Sequence, residues 1–286
     1  MKKRAVISVN LAVFLFGTAG LFAKWISLPA IGITFGRVFF SSLSLLVFIL
    51  CTRQPLRVRR RHAFLLVLAG GLLAVHWWLF LLSIQLSTVA VGTITFSAFP
   101  LFVTFLEPLA FHEKLRAGRV VSALLILLGV LLTVPQFTLE NHISLGIAVG
   151  LISALAYSIL TLLNRYFMQY YSGTVTALYE QGSAALLLLP SLFWIPFSPT
   201  VSDWAMLAFL GIMTTALAHT LFISSLKVLP AQVTGVVSSM ESVYGILLAL
   251  LVLGETPTLH ELAGAAVIII VVIVSQLWQK PQNNAA

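Results

Sequence analysis

Charge is the scarcest ingredient of this chain. Asp, Glu, Lys and Arg make up 8% of its 286 residues, against about 25% in soluble domains. So few charges cannot supply a polar coat for a water-facing globule of this size. Cysteine is nearly absent too: Cys51 stands alone, which excludes an internal disulfide and a thiolate metal cluster. No Asp falls inside an apolar run, which argues against an intramembrane aspartyl dyad. Gly92 and the other glycines form no phosphate-binding loop after a strand, and no ATP motif occurs. His112-Glu113 and His260-Glu261 each open a zinc-type motif, but Arg116 and Gly264 stand where the second histidine belongs. An enzyme is therefore not expected, nor any cofactor.

What the chain has in abundance is apolar length. Hydrophobic residues reach 60% and the mean hydropathy is +1.06. Ten apolar runs fill it, at 5–24, 31–51, 63–84, 90–111, 119–135, 143–163, 174–194, 204–224, 232–253 and 262–279. Most approach the roughly 20 residues that cross about 30 Å of hydrocarbon as a helix. Long alternating strands are missing, so backbone groups in lipid must be satisfied within helices. The expectation is an all-α polytopic membrane protein of ten transmembrane helices. Its short connections leave no room for a folded domain outside the bilayer.

Lys and Arg are distributed unequally between the connections. Lys2, Lys3, Arg4, Arg53, Arg57, Arg59, Arg60, Arg61, Lys114, Arg116, Arg119, Arg165, Lys227 and Lys280 fall on one side, Lys24 on the other, and Arg37 inside a helix. The positive-inside rule then places both termini in the cytoplasm, in a cytoplasmic (inner) membrane. Trp25, Trp194 and Trp204 mark the outer interface and Trp278 the inner one. Lys2-Lys3-Arg4 before an apolar run imitates a signal peptide, but a clear small-x-small cleavage site is missing and nine more spans follow, so an uncleaved first helix is expected. The basic stretch from Arg57 to His62 reads as a topology signal that attracts anionic lipid, with no need of nucleic acid.

The chain also repeats. A shift of 142 residues lays Ser83-Ile84-Gln85-Leu86 on Ser225-Leu226-Lys227-Val228, Ser97 on Ser239 and Glu113 on Glu255. Chance likeness between apolar helices is the competing account; the fixed offset, the matched glutamate turns and the equal span counts oppose it. Five spans per copy is an odd number, so the second copy inserts upside down. The expected organisation is two inverted five-helix repeats, 1–139 and 140–286, in one membrane domain. Inverted repeats are a recurring transporter design, with the site near midplane between the copies.

Two segments carry a family likeness: Leu86 to Leu115 (LSTVAVGTITFSAFPLFVTFLEPLAFHEKL) and Val228 to Pro257 (VLPAQVTGVVSSMESVYGILLALLVLGETP). In these, and in Arg37 early in span two, the chain resembles the drug/metabolite transporter superfamily in its ten-helix EamA-type branch. The resemblance implies a transporter that exports amino acids or related small solutes through a cavity lined by helices one, three, four, six, eight and nine. One position departs from the pattern: His112 stands where the first turn usually has glycine, whereas Gly254 keeps it in the second.

Polar residues buried in apolar helices need a partner or a purpose, because an ionisable group at the bilayer centre costs about 2.5–3.5 kcal/mol on insertion scales. Glu241 sits mid-span on one helical face with Thr234, Ser238 and Gly245. Such a face suits tight packing, but packing needs no carboxylate, which favours a cavity. Span four answers with Thr93, Ser97, Pro100 and Thr104; Pro100 either kinks the helix or frees a carbonyl for solute. His76 and His219, one residue apart in repeat register, are either interhelical hydrogen-bonding groups or contacts for solute and protons. Of Trp77 and Trp78, lipid packing suits one and a cation–π wall suits the other. Tyr157, Tyr244 and Asn164 are cavity-lining candidates. Arg37 and Glu180 read as a structural ion pair or as separate snorkelling groups near the outer end, and Glu107 as solvated at the inner interface.

The expected function is secondary transport, probing one side at a time, of a small amphipathic solute such as an amino acid. A channel is the rival; it would need a continuous polar file, whereas polarity here clusters at the middle of the helices. The implied partners are a small-molecule solute and the lipid bilayer, with a homodimer as an option and no nucleic acid.

Overall fold

The computed structural model describes residues 2–112, 114–115, 117–132 and 142–277. Glu113, Arg116, Trp278, Lys280 and the 139/140 boundary lie outside the described residues. Ten helical segments follow one another: α1 Lys2–Trp25, α2 Ala30–Thr52, α3 Arg60–Leu86, α4 Val89–Phe111, α5 Ala117–Leu132, α6 His142–Phe167, α7 Gly173–Leu188, α8 Val201–Ser225, α9 Ala231–Leu253 and α10 Leu259–Leu277. Seven of them are long and apolar enough to cross a membrane. All ten coincide with the apolar runs, with the largest differences at the end of α6, which runs to Phe167, and at α7, which tightens to a 3₁₀ turn over Leu189–Phe193 around Pro190.

The outside of the bundle is apolar. Phe64, Leu186, Leu251 and Leu259 are each more than 70% exposed, a surface that only lipid can cover at low cost. Polar groups are turned inward instead: Arg37, Glu107, Glu180, His219 and Gln181 are all at most 1% exposed.

Local chemistry sets where helices begin. Thr88 and Ser172 accept from the backbone N–H groups of Val91 and Val175 at the starts of α4 and α7. Thr200 and Asp203 form a capping box on α8, and Thr258 and Glu261 make the same reciprocal bonds on α10. Glu261 is thus a helix cap.

Two carboxylates tie the ends of α4 and α9 together. Glu107, near the end of α4, accepts from the N–H groups of Ala231 and Gln232 at 2.9 and 3.3 Å and pairs with Arg165. It is fully buried, not solvated as the sequence suggested, because the positive end of α9 and a guanidinium compensate its charge. At the opposite end of the bundle, Glu255, after α9, accepts from Val89 N–H at 3.1 Å and lies 4.0 Å from Lys24.

Both α4 and α9 are interrupted at equivalent positions. The chain tightens to i→i+3 bonding at Ser97–Ala98 and at Ser239, and Ser97 and Ser239 are the residues that the 142-residue shift superposes. In α4 the cause is Pro100, which has no N–H to offer Phe96. The turns after the two helices also match. His112 takes φ 52° and Gly254 φ 70°, so the histidine occupies the left-handed backbone that the glycine of the usual pattern would adopt freely.

Close backbone approach positions the polar core. A Cβ on Gly70 of α3 would lie 2.5 Å from the carbonyl oxygen of Glu180, and one on Gly211 of α8 would lie 2.7 Å from that of Arg37. Side chains at these two points would push α7 and α8 away from α3 and α2.

Candidate functional site

A small cavity of about 20 Å³ lies at the middle of the bundle. Its polar lining is Arg37 of α2, His76 of α3, Tyr157 of α6 and Glu241 of α9. Phe16 and Ala19 of α1, Trp77 and Phe80 of α3 and Phe96 of α4 supply its apolar walls. Glu241 lies ten residues into α9 (231 to 241), about 15 Å along the helix, and so near the centre of the membrane.

Arg37 is held on three sides. Its Nε donates to Thr215 Oγ1 at 3.0 Å, and its guanidinium lies 4.0 Å from the ring centroid of Trp77. Its charge also interacts favourably with Glu241 across the cavity. Thr215 reaches it because Leu210–Leu217 is π-helical: the Thr215 hydroxyl bonds back five residues to Leu210, a local rewinding that redirects side chains. Nη1 of Arg37 has no partner. A desolvated guanidinium over an indole face gains about 2 kcal/mol, which offsets part of its burial.

His76 is fixed by Ser153. The serine hydroxyl donates to the His76 carbonyl at 2.9 Å, so its oxygen accepts from the ring Nδ1 at 2.8 Å. A hydroxyl has one proton to give, which assigns Nδ1 as the donor and leaves Nε2 free to accept when the ring is neutral. The ring also stacks 4.4 Å from Tyr157 and 4.9 Å from Phe96, centroid to centroid. Tyr157 contributes a buried hydroxyl with no partner. The cavity therefore offers a cation, a carboxylate and two polar hydrogen-bonding groups between aromatic faces.

The remaining sequence candidates stand elsewhere. Ser97 and Ser238 donate back to Thr93 and Thr234 of their own helices, at 3.0 and 2.9 Å. Pro100 is buried against Gly235 of α9. Trp78 is half-buried away from the cavity, whereas Trp77 is 4% exposed and lines it. Asn164 is buried toward Glu180, and Tyr244 packs against Phe14 on α1.

The expected Arg37–Glu180 pair is not formed. Glu180 Oε2 instead lies 2.9 Å from His219 Nε2, with both side chains fully buried. The reason is chain direction: Arg37 is near the Lys24 end of α2, but Glu180 is near the Arg165 end of α7. Neither snorkels. Of the helices that the resemblance implied, one, three, four, six and nine line the cavity; eight does not, and two does through Arg37. His219 of α8 stands behind Trp77, ring centroids 5.4 Å apart.

Sequence reasoning missed the phenylalanines, since twenty are spread through the chain and none is marked by spacing. It underrated Arg37, although a lone arginine inside a span is itself a signal.

A bundle with an apolar exterior and a polar, aromatic-walled chamber at mid-depth defines a multi-pass membrane protein. The chain belongs to the EamA-like transporter family, whose model matches residues 3–134 and again 144–276. It is accordingly a transporter within the drug/metabolite transporter superfamily, and not an enzyme. A relative from Bacillus subtilis (strain 168), named an uncharacterized transporter, is 26% identical over 273 residues, covering 93% of this chain and 88% of its own. The S-adenosylmethionine uptake transporter of Rickettsia bellii (strain RML369-C) is 25% identical over 245 residues, covering 83% and 80%. A solved crystal structure at 20% identity superposes with a TM-score of 0.78 over 97% of this chain and 98% of that one, which shows that the fold is shared.

Proposed function

We propose that this protein is a secondary carrier for small amphipathic solutes bearing both charges, amino acids or close relatives, working by alternating access across a cytoplasmic membrane. The observation that carries this reading is the placement of Arg37 and Glu241 on one mid-membrane cavity with aromatic walls. Arg37 presents an unused N–H to a carboxylate, Glu241 faces an ammonium, and Trp77, Phe80 and Phe96 flank the hydrocarbon part. The likeness to a transporter named for S-adenosylmethionine supports it, because that solute is itself an amino acid. A cavity of about 20 Å³ holds roughly one water, so a solute enters only when the surrounding helices part. That favours a carrier over a channel.

The paired breaks at Ser97 and Ser239, with the ends of α4 and α9 tied by Glu107 and Glu255, support two inverted five-helix halves, 1–139 and 140–286, rocking about the cavity. Both termini are cytoplasmic on the positive-inside count. The family resemblance favours export; a gradient-driven carrier follows its gradient, so the assay reads direction.

The test is tracer uptake by proteoliposomes with Glu241→Gln. We expect loss of transport for solutes with a free ammonium. An unchanged rate and pH profile would remove Glu241 from the site.

A further inference from the structure

The cavity does not account for the second polar cluster in the core. Among the described residues, ten buried side-chain N and O atoms lack a well-formed hydrogen bond, and four of them belong to Asn164, Glu180 and His219. Such clustering calls for an explanation, since each unmatched atom costs about 1–3 kcal/mol.

Glu180 and His219 form a pair 2.9 Å apart with no exposure on either side. Two titratable groups in contact share one proton in their net-neutral state, as carboxylate with imidazolium or carboxylic acid with imidazole. Burial favours that state over any with net charge. In a purely structural pair the outward atoms would be bonded as well. Here Glu180 Oε1 meets only the Asn164 amide, short of a well-formed hydrogen bond, and His219 Nδ1 lacks a partner, which leaves the pair able to take up or release a proton without breaking a full bond elsewhere.

Asn164 fits both forms of the glutamate. Its amide is directed at Glu180, short of a well-formed hydrogen bond at either atom. Its Nδ2 can donate to an ionised Oε1, and after the amide turns its Oδ1 can accept from a protonated one. The titratable groups that interact with the pair are Tyr157 of α6, with Glu180, and His76 of α3, with His219; Arg37 and Glu241 interact with the pair's neighbours and not with the pair itself.

The position of the pair supplies a route. Tyr157, Thr161 and Asn164 are spaced 4 and 3 along one face of α6, and Met168, in the turn that follows, bonds back to the Asn164 carbonyl. Tyr157 lines the cavity, while Met168, with Arg165, Gln169 and Lys227, lines a groove of about 270 Å³ at the Arg165 end. Glu180 and His219 sit between the two. Trp77 links the sites: one face carries Arg37 at 4.0 Å, and His219 packs 5.4 Å away. A solute that draws Arg37 off the indole alters what packs on His219.

We propose that Glu180 and His219 form the proton-loading site of the transport cycle, separate from the solute cavity and reached from the Arg165 end along this face of α6. This rests on the carrier reading above. Two arms test it. In the first, the melting temperature of the purified protein is followed across pH, without solute, for wild type, Glu180→Gln, His219→Gln, the double variant and Glu241→Gln. The expected result is a pH-dependent step in wild type that either single substitution removes and the double variant alters no further, because the pair titrates as one unit. A merely structural role would lower melting while keeping the step, and a step that survives in Glu180→Gln overturns the proposal. Should Glu180→Gln fail to fold, His219→Gln and Glu180→Asp carry the same comparison. In the second arm, proteoliposomes under an imposed pH gradient receive a mixture of radiolabelled amino acids. Wild type should concentrate tracer, and Glu180→Gln should lose the concentrating power; equal accumulation overturns the proposal. If wild type moves no tracer, the amino-acid reading fails, and the melting arm still decides the proton site.

Discussion

Comparing an amino acid with its methyl ester in an Arg37→Lys variant separates solute recognition from the integrity of the core. Lysine keeps a positive charge opposite Glu241, so no uncompensated carboxylate is left in the bilayer. It loses the planar fork, and with it the free Nη1, the bond to Thr215 and the stack on Trp77. If a solute carboxylate takes that fork, the substitution removes one charge-assisted hydrogen bond of about 1.5–3 kcal/mol. At 1.4 kcal/mol per tenfold, affinity should fall roughly ten- to a hundredfold. The assay is binding read by the change in tryptophan fluorescence, since the guanidinium lies against Trp77, with tracer uptake beside it. An amino acid and its methyl ester are compared. Wild type should prefer the free acid, and Arg37→Lys should lose most of that preference; its melting temperature should also fall, because the stack on Trp77 and the bond to Thr215 are lost. Unchanged affinity, or equal losses for acid and ester, would refute carboxylate recognition by Arg37.

Further outcomes follow from the same geometry. Trp77→Ala should change the range of accepted solutes and Trp78→Ala should not, because only the first lines the cavity; identical uptake profiles would mean that neither does. His112→Gly should raise the melting temperature of the purified protein, by about 1 kcal/mol of stability, because φ 52° strains a side-chain-bearing residue; an unchanged or lower value would refute the strain.

Much of the architecture was legible because the bilayer imposes simple rules. Crossing hydrocarbon demands runs of about 20 apolar residues, so α1 to α4 could be bounded to within about three residues. The 142-residue offset pointed to matched places in α4 and α9, and both helices tighten there, at Ser97 and Ser239. Which helices touch was not legible. Contact within lipid depends on small residues such as Gly70 and Gly211 and on backbone approach, neither of which has a period in the sequence. Arg37 and Glu180 show the consequence. A shared place near the outer end suggested pairing, yet they approach from opposite ends of the bundle, and each found a different partner.

The amino-acid sequence by itself determined that the chain spans a membrane many times, that its charges are sorted to one side, and that a few titratable groups must be housed inside. Those are consequences of composition and order along the chain, and they hold for any packing of the helices. Only the tertiary structure decided which of those groups share a chamber. It set Arg37 on Trp77 facing Glu241, and it gave Glu180 to His219 and Glu107 to the start of α9. The physical reason is that a buried charge is stabilised by whatever polar group packing brings within about 3 Å, and that neighbour is chosen by helix contacts remote in sequence.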